Sequence, residues 1–411
     1  MEGFFDSKGI APAYVGGLLH SCSRCGLYRH VLNPRIKAYG KGEKGILVIG
    51  EAPGEWEDKK GKPWQGKIGR KHRRKLESLG IDLFRDCVSI NSVNCRPPRN
   101  RTPRPNEIDC CRPRVWKVIQ EMQPRLILLA GNAAIQSFLG HRWKKDLGGI
   151  TKWRGWTIPD RDVKAWVCPV FHPSYVDRSD NRGSPHETIW TQDLERALGC
   201  LGQDLPYFKD EESCVEILLE SDRIRAFLKQ LAQDAEELPV HAPTPLVAFD
   251  YETTGLKPHS EGHEVVCVSV SPSPDEVVAF PITRGIKGIF RRLFLDNPTI
   301  GKMAHNMKFE DTWSRFFFKT HVQGWKWDSM LAAHILDNRD GVTGLKFQSY
   351  VHFGLVDYDS GIAPFLKSNS KSANAMNRVK EAPLEDLLTY CAMDSLLEHR
   401  LALLQMEKIL K

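Results

Sequence analysis

The sequence predicts two α/β domains in tandem. Its 411 residues suffice for two ordinary domains. Strand-like and helix-like segments alternate through the first half, and the second half opens on three strands and closes on a long helix. Charge divides along the same line: residues 1–200 carry 35 Lys+Arg against 21 Asp+Glu, and residues 201–411 carry 23 against 30. Composition is that of a soluble globular protein. No apolar run approaches the roughly 20 residues a membrane helix needs, and MEGFFDSKGI has no basic region leading into an apolar stretch. These features point to a cytoplasmic protein with no membrane partner.

In chain order, Gly45–Gly50 (GILVIG) reads as a buried strand running into GEAPG, and Lys67–Leu79 as a basic helix. Val88–Val93 is a strand, and Asn106–Met122 a helix despite Pro113. Leu126–Ala130 is a strand followed by a helix from Asn132, and Trp153–Ile158 and Ala165–Val170 are further strands. This alternation predicts a parallel sheet with helices on both faces and chemistry at the carboxyl ends of its strands. Residues 202–245 hold an acidic helical stretch and then the connection HAPTPL. The boundary is placed so that the domains are 1–204 and 205–411. Strands at Leu246–Asp250, Glu264–Val270 and Glu276–Pro281 open the second domain, and a helix from about Pro383 to Leu410 ends it.

A basic half suits a polyanion, because Lys and Arg on phosphates release condensed counterions. Lys67, Arg70, Lys71, Arg73, Arg74 and Lys75 crowd one segment, and Arg96, Arg99, Arg101 and Arg104 another. An acidic half suits carboxylates that hold metal ions, which then meet phosphate.

Eleven cysteines, an odd number, do not suggest a disulfide framework. Cys22 and Cys25 form a Cys-x-x-Cys pair; Cys95 and Cys111 lie far downstream. Alone, the pair reads equally as a zinc clip, a redox pair or chance, and the downstream spacing is not that of a zinc ribbon. The surrounding stretches, GEAPGEWEDKKGKPWQGKIG (50–69), NSVNCRPPRNRTPRPNEIDCC (91–111) and FHPSYV (171–176), resemble the motifs of family 4 uracil-DNA glycosylases across about residues 18–199. The resemblance implies an α/β glycosylase fold and a [4Fe–4S] cluster on Cys22, Cys25, Cys95 and Cys111, with Cys110 as the second choice for the last ligand. It implies that a flipped uracil is stacked on Trp64, which stands where the family usually has Phe, and read by the Asn91 amide. Gln65 replaces a usually apolar residue. His172 is implied as the group that stabilises charge on the departing base. Glu51 steadies the cationic sugar or aligns water, and Glu57 is a weaker candidate for the same work.

The second half carries Asp250 and Glu252 in VAFDYETTG, Glu310 and Asp311 in NMKFED, and Tyr390 and Asp394 on the last helix. Residues two apart on a strand, or four apart on a helix, share a face. Four converging acids suit two divalent cations that clamp the attacking and leaving oxygens of a phosphodiester. The set resembles the proofreading exonuclease domain of DNA polymerase I and its DnaQ-like relatives across about residues 207–408, helped by WDSMLAAHILDNRDGVTGLKFQSY and YCAMDSLLEHRL. That implies an RNase H-like fold, two Mg²⁺ or Mn²⁺ ions on Asp250, Glu252, Glu310 and Asp394, Tyr390 orienting the attacking water, and Asp328 as a supporting acid. Glu310 stands at the family's Asp position with Asp311 adjacent, so either can be the middle ligand. The chain ends soon after Asp394, so a separate DNA polymerase is the expected partner, in a bacteriophage or other compact replication module. The expected function is uracil excision from DNA combined with 3′–5′ DNA hydrolysis. The alternative is an exonuclease whose glycosylase-like domain only binds DNA.

Overall fold

The computed structural model describes residues 18–143, 145–178, 185–239, 243–368 and 370–410. The N-terminal segment MEGFFDSKGI and the start of the HAPTPL connection lie outside them. The chain forms two compact units. One comprises residues up to Pro206 together with Tyr350–Asp357, and the other Tyr207–Ser349 with Tyr358–Lys411. Both are α/β.

The first unit holds a five-stranded sheet in the order β2-β1-β3-β5-β4. Its strands are β1 (Ile46–Gly50), β2 (Cys87–Asn91), β3 (Leu126–Ala130), β4 (Ile158–Asp160) and β5 (Ala165–Val170). The pairs β1/β2, β1/β3 and β3/β5 are parallel. β1 (ILVIG) and β3 (LILLA) are buried along their whole length, as parallel strands covered on both faces must be. Chain order reverses across β1 and β3, which opens a crevice beyond their carboxyl ends.

The edge departs from the expected parallel pattern. The segment 153–158 is not a strand: Ile150–Trp153 is a helical turn, and the strand is the antiparallel β4 that follows. Trp153 is fully buried and its indole N–H donates to the Leu147 carbonyl at 2.6 Å, which fixes the turn. Gly155, at φ +76, then reverses the chain; any Cβ there would meet Asp193 Oδ1 at 2.7 Å. Pro113, by contrast, is carried inside the continuous helix Pro105–Met122.

The second unit holds a six-stranded mixed sheet in the order β11-β10-β7-β8-β9-β6. The strands are β6 (Val215–Ile217), β7 (Leu246–Thr253), β8 (Val265–Ser273), β9 (Glu276–Pro281), β10 (Gly301–Ala304) and β11 (Trp325–Asp328). Three of these, β6, β10 and β11, were not anticipated; each has only three or four residues. Alternation along β7 sorts its side chains. Val247, Phe249 and Tyr251 enter a core with Phe290, Phe294 and Trp313. Ala248 lies on the opposite face, against Met303 and Ala402 of the terminal helix Leu384–Ile409, and Asp250 and Glu252 follow the same alternation. The β10/β11 register sets Ala304 beside Asp328.

Candidate active sites

The first site gathers where four strands of the first sheet end. Glu51 follows β1, Asn91 ends β2, Gly131 follows β3 and His172 lies just beyond β5. Two glycines permit the crowding. A Cβ on Gly50 would stand 2.4 Å from Asn91 Oδ1 and 3.0 Å from Trp64 Cζ2. A Cβ on Gly131, at φ +88, would stand 2.8 Å from the His172 Cβ. The structure therefore brings Asn91, Trp64 and His172 together, and only residues without a side chain at 50 and 131 allow it.

The state of His172 follows from its neighbours. Its Nδ1 accepts the backbone N–H of Ser174 at 3.2 Å and lies 2.7 Å from the Ser174 hydroxyl. A backbone N–H can only donate, so Nδ1 carries no proton and the neutral ring holds its proton on Nε2. Burial, aided by the nearby Arg178 charge, lowers the His172 pKa to about 4. For Glu51, burial raises the proton affinity and Arg178 opposes it. The sequence drew no attention to Arg178, which lies at the end of the helix Pro173–Arg178 that begins beside His172.

Trp64 is buried, only 6% exposed. Its ring centroid lies 5.7 Å from His172 and 4.5 Å from His72. A base inserted into a stack takes about 3.4 Å on each face, so none fits between Trp64 and His172 as they stand. Glu57 organises the loop that carries Trp64. Its Oε1 accepts the N–H groups of Gln65 (2.8 Å) and Gly66 (3.0 Å), and its Oε2 accepts that of Gly54 (3.1 Å). With both oxygens engaged by backbone, Glu57 has the geometry of a loop tie rather than of a substrate contact.

Cys22, Cys95 and Cys111 are buried and Cys25 is half-buried. Cys95 and Cys111 share a small apolar cluster with Leu27, Val93 and Ile108, and Cys25 packs against it. The Cys111 thiol senses Cys25, Cys95 and Cys22 electrostatically, and the Cys110 thiol senses Cys25 and Cys22 together with Arg24 and Asp109. The backbone N–H of Arg35 points at Cys95 Sγ, 3.3 Å away. All are free thiols, and a donor set of four sulfurs, one with an N–H aimed at it, fits a thiolate-bound cluster. Burial pushes the Cys111 thiol up to about 12, so a thiolate there needs a metal to stabilise it.

The basic segments are partly spent within the unit. Lys67 pairs with Asp177 at 3.0 Å, Lys71 with Glu187 at 3.2 Å and Lys75 with Glu187 at 2.8 Å. Arg101 binds Glu107 through two nitrogens. Arg70, Arg74, Arg99 and Arg104 are exposed.

In the second site, Asp250 and Glu252 of β7 face the terminal helix. Cys391 Sγ lies 3.6 Å from the Asp250 carbonyl, and single ligand atoms of Asp250, Glu252 and Cys391 fall within 4.8 Å of one another. Burial first, then the nearby Asp394 and Glu252 charges, raises the Tyr390 phenol well above its usual range. Glu310, buried on the helix Met307–Trp313, feels the Asp250 charge, and its Oε2 lacks a hydrogen-bond partner. Asp311 is turned elsewhere: it accepts the Val322 N–H at 3.1 Å and pairs with His321 at 3.4 Å. Asp328 caps two helices, accepting the N–H groups of Asn306, Met307, Met330 and Leu331. Burial first, then mutual repulsion, raises the proton affinity of Asp250, Glu252 and Glu310 well above the carboxylate range. Glu398, one turn beyond Asp394 and also buried, is raised the same way by burial, Glu310 and Asp250. Clustered buried acids that repel one another, one with an orphaned oxygen, fit divalent cations.

Comparison with known proteins finds a family for each half of the chain. Residues 37–195 match the uracil DNA glycosylase superfamily and residues 219–411 match a 3′–5′ exonuclease family. A type-4 uracil-DNA glycosylase of Thermotoga maritima is 35% identical over 183 residues, which cover 44% of this chain and 91% of that protein. The chain belongs to the type-4 uracil-DNA glycosylase family. The relative from Pyrobaculum aerophilum is 32% identical over 39% of this chain and 82% of its own length. A DNA polymerase of Bacillus phage SP01 is 25% identical over 328 residues, 75% of this chain but only 34% of that protein. Among solved structures, Brucella melitensis NrnC with bound Mg²⁺ is similar over 42% of this chain and 78% of its own, at 22% identity and a TM-score of 0.31. This type-4 glycosylase thus carries, in the same chain, a 3′–5′ exonuclease domain of the kind found in DNA polymerases. Among the described residues no helix is long and apolar enough to cross a membrane.

Proposed function

We propose that the first domain, taken as residues 1–204, cleaves the bond between uracil and deoxyribose in DNA. The observation that carries this reading is the protonation state of His172 at the crevice beyond the strand ends: Nδ1 is held by Ser174, so Nε2–H is the donor. As the C1′–N1 bond breaks, its electron pair passes to the base, and a fixed neutral donor stabilises the charge developing on a carbonyl oxygen of uracil. The Asn91 amide can both donate and accept, as reading the uracil edge requires. Glu51, whose proton affinity burial raises and Arg178 partly restrains, steadies the cationic sugar or aligns the water that adds to it. Cys22, Cys25, Cys95 and Cys111 would hold the [4Fe–4S] cluster, which when bound ties the helix Leu18–Cys25 to Pro105–Met122 and leaves the reaction to the pocket. Release of uracil from single-stranded and duplex DNA by the purified, cluster-loaded protein tests the reading.

One observation favours the second reading, in which this domain only binds DNA: Trp64 is a buried ring against His72 and His172, not an open platform. Retained DNA binding with no uracil release would select it.

For residues 205–411 we infer two-metal hydrolysis of DNA from 3′ ends. Asp250, Glu252, Glu310 and Asp394 would hold the two Mg²⁺ or Mn²⁺ ions, which when bound clamp the attacking and leaving oxygens of the phosphodiester. Glu310 rather than Asp311 takes the middle position, because it alone of the two faces the other acids. Tyr390, one helical turn before Asp394, orients the attacking water. Metal-dependent shortening of a 5′-labelled strand, abolished by EDTA, is the test. A separate DNA polymerase and a cytoplasmic, replication-linked setting complete the proposal. The match to a phage polymerase supports them, because its 328 residues are longer than either domain and must run through both.

A further inference from the structure

Lys346 lies in none of the three acid motifs. It sits in the helix Leu345–Phe353, and its ammonium is 2.6 Å from Asp394 Oδ1. Both side chains are largely buried, at 15% and 11% exposure. The Tyr358 hydroxyl donates to that same oxygen at 2.6 Å. The ammonium also lies 3.6 Å from the Tyr358 ring centroid and 4.2 Å from that of Tyr390. Two phenol rings and a carboxylate therefore bracket one cation.

We propose that Lys346 is a positioning residue of the nuclease site, fixing both the Asp394 carboxylate and the Tyr390 ring for the metal-bound state. The inference rests on the nuclease reading given above. Two donors on Oδ1 stop the carboxylate from turning about its Cβ–Cγ bond, so the edge it offers to a metal is set in advance. The cation–π contact, 4.2 Å from the Tyr390 ring centroid, does the same for Tyr390. A desolvated ion pair contributes little to stability, whereas groups that orient ligands are worth about 10–100-fold in metal affinity. The rival physical role is that of a placeholder, a cation standing in the metal's place. It predicts the opposite sign, because removing a competitor tightens metal binding.

The experiment uses the full-length, cluster-loaded protein freed of divalent cations, with Mn²⁺ binding followed by the electron paramagnetic resonance of the free ion. Lys346→Met should weaken Mn²⁺ binding about 10–100-fold, and Lys346→Arg should recover part of the loss. Mn²⁺ binding to Lys346→Met as tight as to wild type, or tighter, would overturn the assignment. If wild type itself binds no Mn²⁺, the nuclease reading fails, and this inference with it. Should Lys346→Met melt early, Tyr358→Phe carries the test. It removes one hydroxyl and leaves the packing, and it should still weaken Mn²⁺ binding about tenfold; unchanged binding there counts against the clamp.

Discussion

The proton on His172 Nε2 is assigned by a hydrogen bond from one backbone group, and it makes the pH dependence of excision predictable. The active form is the neutral ring. Because its pKa is lowered to about 4, that form persists as pH falls through 6.5, where an ordinary histidine would charge. His172 should therefore add no acid limb to uracil release between pH 8 and pH 5; its own protonation shows only near pH 4, and any earlier fall belongs to Glu51, whose proton affinity burial raises. An acid limb near 6.5, lost in His172→Ala, would contradict the assignment. The same shift makes folding acid-sensitive: His172 contributes its full stability above pH 6.5 and loses it as pH falls toward 4, because only the unfolded chain takes up the proton in that window. His172→Ala itself should reduce excision by about 10²–10³ while DNA binding is retained.

At this scale much of the chemistry was legible in the sequence and part of it was not. Asn91, His172, Asp250 and Glu310 stand within motifs that marked them as candidates; the fold sets Asn91 and His172 at strand ends of one sheet and lets Glu310 feel the Asp250 charge in the second unit. Glu57 was a weaker candidate beside Glu51 for steadying the cationic sugar or aligning water; its neighbours in the structure, the N–H groups of residues 54, 65 and 66, depend on loop geometry that no spacing announces. Arg178, Lys346 and Tyr358 were invisible for the same reason. Each acts through a contact made by the folded chain, not through a pattern along it.

Elements were legible where the chain is uniform. GILVIG and LILLA are strands because parallel strands buried on both faces must be apolar throughout. The stretch 153–158 failed because Trp153 and Trp156 look strand-like, while Gly155 breaks the run and Trp153 satisfies its indole N–H only from a helical turn. β10 and β11 are too short for alternation to show. The loop 54–66 gives an element-scale prediction. Glu57→Ala removes the acceptor of three backbone N–H groups, and charge-assisted bonds of this kind are each worth about 1.5–3 kcal/mol. The protein should melt several degrees earlier, and excision should fall with it because Trp64 is no longer held. An unchanged melting temperature would show that the loop does not depend on Glu57. The cluster segment gives another: Cys111→Ser should bleach the brown, iron-loaded protein and Cys110→Ser should not, since Cys111 packs in one cluster with Cys95 and Cys25. Equal iron loss in both variants would undo that choice.

Over the whole molecule, two sites of opposite electrostatic character share one chain. The first half is basic and the second acidic, and the two chemistries have different needs. On the proposed reading uracil leaves on a protein hydrogen bond, and that step calls for no divalent cation. The buried acids of the second domain repel one another until metal is bound. The activities should therefore separate cleanly. Asp250→Ala, or EDTA, should abolish nucleotide release from 3′ ends and leave uracil excision intact. Asn91→Ala should do the reverse, because it removes the amide that reads uracil and touches no metal ligand. Within the same assay, Glu310→Gln should be severe and Asp311→Asn mild: Glu310 faces Asp250, whereas Asp311 holds Val322 and His321. Measured side by side, uracil release and 3′ digestion give two numbers for each variant, and independent sites require that no variant lowers both. If Asp250→Ala also stopped uracil release in folded, cluster-loaded protein, the sites would be coupled, and the charge division along the chain would have to be explained as one shared binding surface.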